Sequence, residues 1–257
     1  MEPTCITVDR DGSDVTITMN LPERRNALGQ THLDELLAAF TSAAASDATG
    51  VILAGNGPVF SAGHDLAEMA GQDLATMRHL LGTCTELMLL IGRMPQVVIA
   101  RVHGLATAAG CQLVAAADLA VAAESARFAV PGGRGGWFCT TPMVAVGRAV
   151  PRKRAFELAL CGDPIDARTA EAWGLVNRVV PDADLGAATD EFLARATRGS
   201  AASRAIGKAA LTHQLGLGIA DAYRFATEVM ASASQTADAQ EGMAAFVDKR
   251  EPRFEGR

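Results

Sequence analysis

Two runs of small residues, each following an apolar segment, constrain this chain more than any other feature. They are residues 60–66 (FSAGHDL) and residues 102–113 (VHGLATAAGCQL). A turn rich in Gly and Ala that opens a helix lets a ligand approach main-chain N–H groups closely, and these groups carry the positive end of the helix dipole. Two such turns would polarise one carbonyl oxygen. Small residues equally serve the tight packing of a strand on a helix, and that alternative stays open for each turn taken alone.

The apolar pattern predicts alternating strands and helices over most of the chain. Apolar and polar residues alternate over residues 5–8 and 15–19 around Asp11-Gly12-Ser13, which predicts an opening β-hairpin. Helical stripes precede the strands predicted at residues 51–54 and 97–100. This βαβ rhythm implies right-handed crossovers and a largely parallel arrangement. Beyond the last predicted strand the pattern is almost entirely helical.

Composition narrows the classes of function. The chain has 257 residues, of which 49% are hydrophobic and 20% charged, so it is long enough for one large core, and no Pro-, Gly- or Ser-rich linker divides it. A net charge of −6 argues against a nucleic acid partner, because phosphate neutralisation needs clustered Lys and Arg. No segment is expected to approach the length of a membrane span, and residues 1–4 lack the basic start of a signal peptide. We therefore expect no membrane partner and a cytoplasmic location.

Cysteine and histidine spacing predicts neither disulfides nor a metal site. The five cysteines are odd in number and lack CxxC spacing, which favours reduced thiols. The five histidines lie far apart, and none stands at ligand spacing from a second His or Cys. We expect no metal ion. The cysteines are Cys5, Cys84, Cys111, Cys139 and Cys161.

Five ordered segments resemble the enoyl-CoA hydratase/isomerase family, also called the crotonase superfamily. They are residues 20–28, 60–69, 104–113, Gly162 together with 170–181, and 241–250. Within the superfamily, residues 61–66, 104–113 and 137–142 most resemble the group named enoyl-CoA hydratase domain-containing protein 3. The resemblance implies an α/β fold of the crotonase (ClpP-like) type, a spiral of ββα units over residues 1–198. It also implies a helical C-terminal trimerisation region over residues 199–257, with homotrimers that commonly pair into hexamers.

The resemblance also assigns roles to individual residues. The backbone N–H groups of His64 and Ala109 would hold a thioester oxygen as an enolate develops; Ala109 replaces the usual glycine but keeps its N–H. No permanently bound cofactor is implied, since coenzyme A enters as part of an acyl-CoA thioester substrate. The positions that match coenzyme A contacts are Arg24, Arg25, Ala27, Ala62, Asp65, Leu66, Phe246 and Lys249.

Several of these positions have an ordinary structural interpretation. Arg24 and Arg25 would otherwise be a solvated surface pair, and Asp65 stands where a helix N-cap is expected. Phe246 and Lys249 would otherwise belong to a simple amphipathic helix.

The two glutamates that hydratases of this family use to place and deprotonate water are missing. The matching residues are Gln112 and Gly132. Neither titrates, so the general acid–base contribution, roughly 10²- to 10⁴-fold, is absent at both positions. We expect a nominal hydratase/isomerase for 2-enoyl-CoA thioesters with weak or absent hydration. We also expect that Glu at both positions would raise hydration. The surrounding Gly-rich loop, residues 130–137, is interpreted as mobile or as open to a bulkier acyl group.

Two other functions remain open. The tripeptide Gly63-His64-Asp65 resembles decarboxylases of malonyl-type CoA esters, in which loss of CO₂ generates the enolate without a base, and Arg134 would hold the carboxylate. Those decarboxylases carry a Tyr in this loop, whereas the single tyrosine here is Tyr223. The third possibility is a non-catalytic acyl-CoA binding or scaffold protein. Cys111, Cys139 and Asp65 are minor candidates for a substitute catalytic group.

Overall fold

The structure is a computed structural model that describes residues 4–256. It opens with the predicted hairpin, formed by strands β1 (Ile6–Asp11) and β2 (Asp14–Met19). Gly12 lies in the tight connection with φ +58°, a conformation that glycine adopts without steric cost. Buried and half-buried residues alternate along β2, as expected for a strand with one face on the core.

After the hairpin the chain repeats a strand, a second short extended segment and one or two helices. The repeats contain α1 (Gln30–Ala44), β3 (Gly50–Gly55), α2 (Leu66–Met69), α3 (Leu74–Arg93), β4 (Val97–Val102), β5 (Leu105–Thr107), α4 (Ala109–Ala116), β6 (Leu119–Ala123), β7 (Arg127–Ala129), α5 (Pro142–Ala149) and α6 (Arg152–Cys161). This succession matches the ββα units expected from the sequence.

The chain then completes the sheets and continues as helices. These elements are β8 (Ile165–Asp166), α7 (Ala167–Trp173), β9 (Arg178–Val180), α8 (Leu185–Ala196), α9 (Ala201–Gln214), α10 (Ile219–Ala233) and α11 (Ala237–Asp248). Short 3₁₀ helices occupy Pro22–Arg24 and Asp182–Asp184. The predicted boundary at residues 198/199 falls in the turn between α8 and α9.

Two sheets organise the core. The larger has the order β1-β2-β3-β4-β6-β9, in which β1 is antiparallel to β2 and every other pairing is parallel. Ile17, Leu53 and Ala100 stand side by side on β2, β3 and β4 and are fully buried. Parallel strands that are covered on both faces consist of nearly continuous apolar residues. Strand β3 is of this kind, since all its residues but the last are buried.

The smaller sheet determines where a site can form. Its order is β5-β7-β8, with β5 parallel to β7, and Ser61 extends it through a parallel bridge to Ala106 of β5. Because Ser61, β5 and β7 run parallel, the turns that follow them emerge at the same edge of this sheet. Three turns from three successive repeats therefore meet at one place.

Helix α3 corrects one expectation from the sequence. It spans 20 residues and is long and apolar enough to cross a membrane, so the prediction that no segment approaches such a length is wrong. The core helix of a globular domain passes the same test. Cys84, Leu87 and Ile91 of α3 are buried in the main core, and α3 packs against α1.

The C-terminal helices are fastened to the core through α9. The Lys208 ammonium group donates hydrogen bonds to the Gln96 carbonyl oxygen at 2.8 Å and to Asp118 Oδ2 at 2.6 Å. Asp118 Oδ2 also accepts from the N–H of Val98 in β4. Helix α9 is thus anchored to the main sheet by one nearly buried ion pair.

Candidate active site

The two small-residue turns touch one another. Gly63 has φ +80°, and a β-carbon built on it would stand 2.7 Å from the Thr107 carbonyl oxygen and 3.1 Å from the Ala109 nitrogen. Only glycine permits both the backbone conformation and this approach. The structure therefore brings His64 and Ala109 together, as the resemblance implies.

Main-chain hydrogen bonds hold the first turn in place. The Leu28 N–H donates to the Gly63 carbonyl oxygen at 2.8 Å, and the Ala62 N–H donates to the Arg25 carbonyl oxygen at 3.0 Å. The Thr107 N–H donates to the Ser61 carbonyl oxygen at 3.0 Å, which joins the first turn to β5. The position of the turn is thus set by backbone partners on both sides.

Asn26 supports this region, and the sequence reading missed its role. It is fully buried with φ +51°, and its side-chain amide donates to the carbonyl oxygens of Asn56, Val59 and Phe60. Its Oδ1 accepts from the Leu21 N–H at 2.9 Å. Asn26 therefore joins residues 20–28 to the segment that leads into the site. The available signal in the sequence was the residue type alone, since Asn tolerates a positive φ better than most residues.

The N–H groups of His64 and Ala109 are both unpaired, but only His64 lines the cavity described below; Ala109 is fully buried directly behind the lining residue Ala108. Neither donates a hydrogen bond to another atom in the described part of the chain. Ala109 is the first residue of α4, where a helix leaves its N–H groups unpaired and carries partial positive charge. Ala108 precedes it at φ +50° and ψ −115°. Such backbone strain costs about 1–3 kcal/mol in a non-glycine residue and concentrates at functional sites.

A cavity of about 560 Å³ lies beside the two turns. Most of its wall is apolar or main chain. The lining residues are Ala62, His64, Leu66, Leu81, Thr107, Ala108, Pro131, Gly132, Arg134, Gly135, Trp137, Phe138, Cys139, Thr140, Thr141 and Pro142. Its size and apolar lining are typical of a site for a small organic ligand.

Of the two residues that replace the missing glutamates, only Gly132 lines the cavity. Gln112 lies one helical turn after Ala109, is 4% exposed, and is not among the lining residues; its Oε1 has no hydrogen-bond partner in the described chain. Gly132 does line the cavity. A β-carbon at Gly132 would collide with the Trp137 carbonyl oxygen and stand 2.5 Å from Cys139 Sγ. A Glu at Gly132 would therefore require residues 137–139 to move, and the expectation that Glu at both positions raises hydration stays a prediction.

The Gly-rich loop has a defined path. The N–H groups of Gly135 and Trp137 both donate to the Gly132 carbonyl oxygen, at 3.1 and 2.9 Å. Arg134 extends from it to pair with Asp163 at 2.5 Å, and both side chains are exposed. The guanidinium group is therefore already engaged by a carboxylate of the chain. This path brings Trp137 and Phe138 into the cavity wall.

The predicted coenzyme A contacts do not all lie together. Ala62 and Leu66 line the cavity, whereas Ala27 and Asp65 do not. Asp65 caps α2, accepting from the N–H groups of Ala67 and Glu68, which confirms the N-cap interpretation.

The two adjacent arginines have different environments. Arg24 pairs with Asp65 at 2.5 Å and with Glu68 at 3.1 Å. Arg25 is exposed and forms no ion pair with a described residue. Arg25 is therefore the more available of the two for an anionic ligand.

The C-terminal candidates lie outside the cavity. Phe246 is 85% exposed on α11. Lys249 follows that helix at φ +53° and is exposed. Within this chain neither lines the cavity.

Three ionisable side chains line the cavity in the described chain: His64, Arg134 and Cys139. Burial lowers the pKa of His64 below its ordinary value, so its imidazole is neutral at pH 7. Burial raises the pKa of the Cys139 thiol, which is therefore protonated. The pKa of nearby Cys111 is raised to about 12 by the same cause. All five cysteines are free.

No group of three or more His, Cys, Asp or Glu side chains among residues 4–256 is placed to hold a metal ion.

Helix α5 begins with Pro142 at its first position, as the sequence indicates. Thr141 occupies the preceding cap position but makes no side-chain cap hydrogen bond.

Comparisons with known proteins agree with this geometry. The sequence profile of the family described as Enoyl-CoA hydratase/isomerase matches residues 10–257. Mouse enoyl-CoA hydratase domain-containing protein 3, mitochondrial, is 43% identical over 240 residues, which cover 92% of this chain and 79% of that protein. The crystal structure of an enoyl-CoA hydratase from Mycobacterium smegmatis has a TM-score of 0.94 at 43% identity, covering 97% of this chain and 98% of its own.

The crystal structure of human enoyl coenzyme A hydratase domain-containing protein 3 has a TM-score of 0.93 at 38% identity, covering 97% of this chain and 100% of its own. These likenesses confirm the crotonase fold and the resemblance to the domain-containing protein 3 group. The chain belongs to the enoyl-CoA hydratase/isomerase family, the crotonase superfamily.

Proposed function

We propose that this chain binds an acyl-CoA thioester with its carbonyl oxygen between the N–H groups of His64 and Ala109, and that it catalyses hydration of a 2-enoyl-CoA or a related enolate reaction. The contact between Gly63 and the Thr107–Ala109 segment carries the proposal. It brings together the N–H groups of His64 and Ala109, neither of which donates a hydrogen bond in the described chain. One such donor, aimed at developing negative charge, contributes about 3–4 kcal/mol to transition-state stabilisation.

The cavity supports an acyl group as the bound moiety. Leu66, Leu81, Trp137, Phe138 and Pro142 present apolar or aromatic surface to it. Apolar surface removed from water contributes about 25 cal/mol per Å² to binding before the costs of association are subtracted. A hydrocarbon chain attached to the thioester therefore suits this wall.

Coenzyme A itself is assigned to the solvent-exposed side of residues 20–28. Arg25 is free to pair with a phosphate, and Arg24 is held beside it by Asp65 and Glu68. Arginine suits this role because its planar fork donates two parallel hydrogen bonds. Phe246 and Lys249 would reach a ligand only in a neighbouring subunit, so their assignment depends on the oligomer.

We further propose a homotrimer, or a hexamer made of two trimers, built on the C-terminal helices. Ile219, Tyr223 and Met230 share one face of α10 and are 78%, 71% and 79% exposed. An exposed apolar face of this kind marks an association surface. Leu211 and Leu215, at the end of α9, are exposed as well.

A paired substitution tests the thioester site. Gly63 and Gly71 have nearly identical backbones, with φ +80° and +79°, but a β-carbon on Gly71 meets nothing within 4 Å. Both Gly63→Ala and Gly71→Ala carry the strain of a positive φ, and only the first forces the two turns apart. We expect Gly63→Ala to lower kcat/KM at least 100-fold and Gly71→Ala to keep it within threefold.

The assay follows crotonyl-CoA and longer 2-enoyl-CoA thioesters through loss of the conjugated absorbance, with the product verified by mass. Equal losses in both variants would contradict the assignment of the two turns. Release of CO₂ from malonyl-type esters would replace hydration by the decarboxylase alternative, in which Arg134 would first have to leave Asp163. Binding without any product would support the scaffold alternative.

A further inference from the structure

Of the six buried side-chain polar atoms without a partner in the described part of the chain, three belong to the two small-residue runs that form the site. They are His64 Nε2, Thr107 Oγ1 and Gln112 Oε1. A buried polar atom without a hydrogen bond costs about 1–3 kcal/mol, and such atoms in native proteins call for a catalytic or ligand-binding explanation. Their concentration here points to a ligand group that completes them.

The tautomer of His64 follows from its neighbours. Nδ1 lies 3.3 Å from the Leu28 carbonyl oxygen, which can only accept a hydrogen bond. Nδ1 therefore carries the hydrogen of the neutral ring, and Nε2 keeps its lone pair. His64 also lines the cavity, and its own N–H is one of the two proposed donors to the thioester oxygen. The basic nitrogen thus belongs to the residue that holds the reacting group.

The other ionisable side chains of the cavity wall cannot accept a proton at neutral pH. Arg134 is permanently charged and bound to Asp163. Cys139 is a protonated thiol. Asp65, the next residue along the chain, is turned away to cap α2 and to pair with Arg24. Among the described residues that line the cavity, His64 alone has a basic ring nitrogen without a hydrogen-bond partner; this nitrogen is itself buried.

We propose that the His64 imidazole is the general base and acid that replaces the two missing glutamates. The inference rests on the proposed reaction. Nε2 takes a proton from water as the water oxygen bonds to C3 of the enoyl group, and the C2–C3 π pair moves to give the enolate. The imidazolium then returns that proton to C2, the thioester carbonyl re-forms, and the ring is neutral again. The sum is addition of one water, with no other reactant.

The test separates the side chain of His64 from its main chain. His64→Gln keeps the N–H that holds the thioester, and His79→Gln, at an exposed position of α3, is the matched control. We expect His64→Gln to lower kcat for hydration at least 100-fold while the Kd for butyryl-CoA stays within threefold. We expect His79→Gln to leave both within threefold.

The pH profile of the wild-type chain is a second measurement that does not depend on the variant folding. Because neutral His64 is the active form and its pKa is lowered, kcat should rise through one ionisation below pH 6.5 and then stay constant. A residual rate in His64→Gln should lack that ionisation, which a merely structural histidine would leave in place. A wild-type profile without the ionisation would overturn the inference.

A third measurement distinguishes failure of the base from failure of the hydratase. Exchange of the C2 protons of butyryl-CoA in deuterated water requires the base and the thioester site but no hydration. Exchange by the wild type that His64→Gln loses would support His64 even if no enoyl-CoA is hydrated. Hydration or exchange that persists in His64→Gln within threefold would overturn the inference and leave the proposed function standing. A wild type that does neither would overturn both.

Discussion

The Cys139 sulfur lies 2.5 Å from the point where a side chain on Gly132 would begin. The space that a second carboxylate would need is therefore occupied by the protein's own loop. A carboxylate cannot be added at Gly132 without moving residues 137–139.

Gly132→Ala should lower the free energy of unfolding by about 2 kcal/mol, since an extra methyl group in a filled space typically costs 1–3 kcal/mol. Gly133→Ala is the control, because its β-carbon would meet its nearest atom, Phe138 Cδ2, at an ordinary 3.4 Å. The control should stay within about 0.5 kcal/mol of the wild type. Urea unfolding of both variants measures the difference, and equal stabilities would show that the loop yields freely.

Lys208→Met should destabilise the chain by about 1 kcal/mol at pH 7, because it leaves the partly exposed Asp118 carboxylate without its cation. Burial already raises the pKa of Asp118, and loss of Lys208 removes the charge that opposes this rise. When the pKa of a carboxyl is higher in the folded than in the unfolded state, the folded protein loses stability as the pH rises between these two pKa values.

The difference in unfolding free energy between Lys208→Met and the wild type should therefore shrink as the pH is lowered from 7 to 5. Lys153→Met, at an exposed position of α6, should show neither effect. Unfolding free energies at both pH values test this, and a deficit that grows on acidification would contradict the assignment.

Arg25→Ala should weaken binding of an acyl-CoA thioester about tenfold, as expected for loss of a charge-assisted hydrogen bond worth about 1.5 kcal/mol. Arg10→Ala removes an exposed arginine that pairs with Asp47 outside the cavity and should leave the Kd unchanged. Calorimetric titration at two salt concentrations gives both values. An unchanged Kd in Arg25→Ala would remove this residue from the coenzyme A path.

Tyr223→Asp should convert the proposed trimer or hexamer into smaller species, because it places a charge in the centre of the apolar face of α10. Val8→Asp, at an exposed apolar position of β1, is the control and should leave the molar mass unchanged. Size-exclusion chromatography with light scattering reports the mass. A wild-type monomer would exclude the proposed assembly outright.

Local patterns in the sequence were sufficient to predict much of the fold. The hairpin, β3 and β4 follow from apolar alternation and continuous apolar runs, because these patterns reflect burial along a single segment. The meeting of His64 with Ala109 was expected from the family resemblance and from the small residues around them. Close approach of two backbones restricts the residues that fit, so it leaves a visible mark in sequence.

Relationships between distant segments were not predictable in the same way. The pairing of Arg24 with Glu68 joins a 3₁₀ helix to helix α2 of another repeat. The occupation of the space beside Gly132 depends on how the chain returns at Cys139. Similarly, the identity of the acceptor beside His64 Nδ1 depends on Leu28, which belongs to another repeat. Each of these depends on loop paths that no single-segment pattern encodes.

The three turns at the edge of the small sheet come from separate repeats, so no single repeat of the chain contains the site. Ser61 must pair with β5 before His64 can meet Ala109, and β7, which carries the chain on to Gly132, pairs with β5 in turn. Contacts between segments distant in sequence form late in folding, because closing the intervening loops costs entropy first. A bound thioester will therefore report that these repeats have assembled, and it will stabilise the finished chain by mass action over every partly folded form that lacks the site.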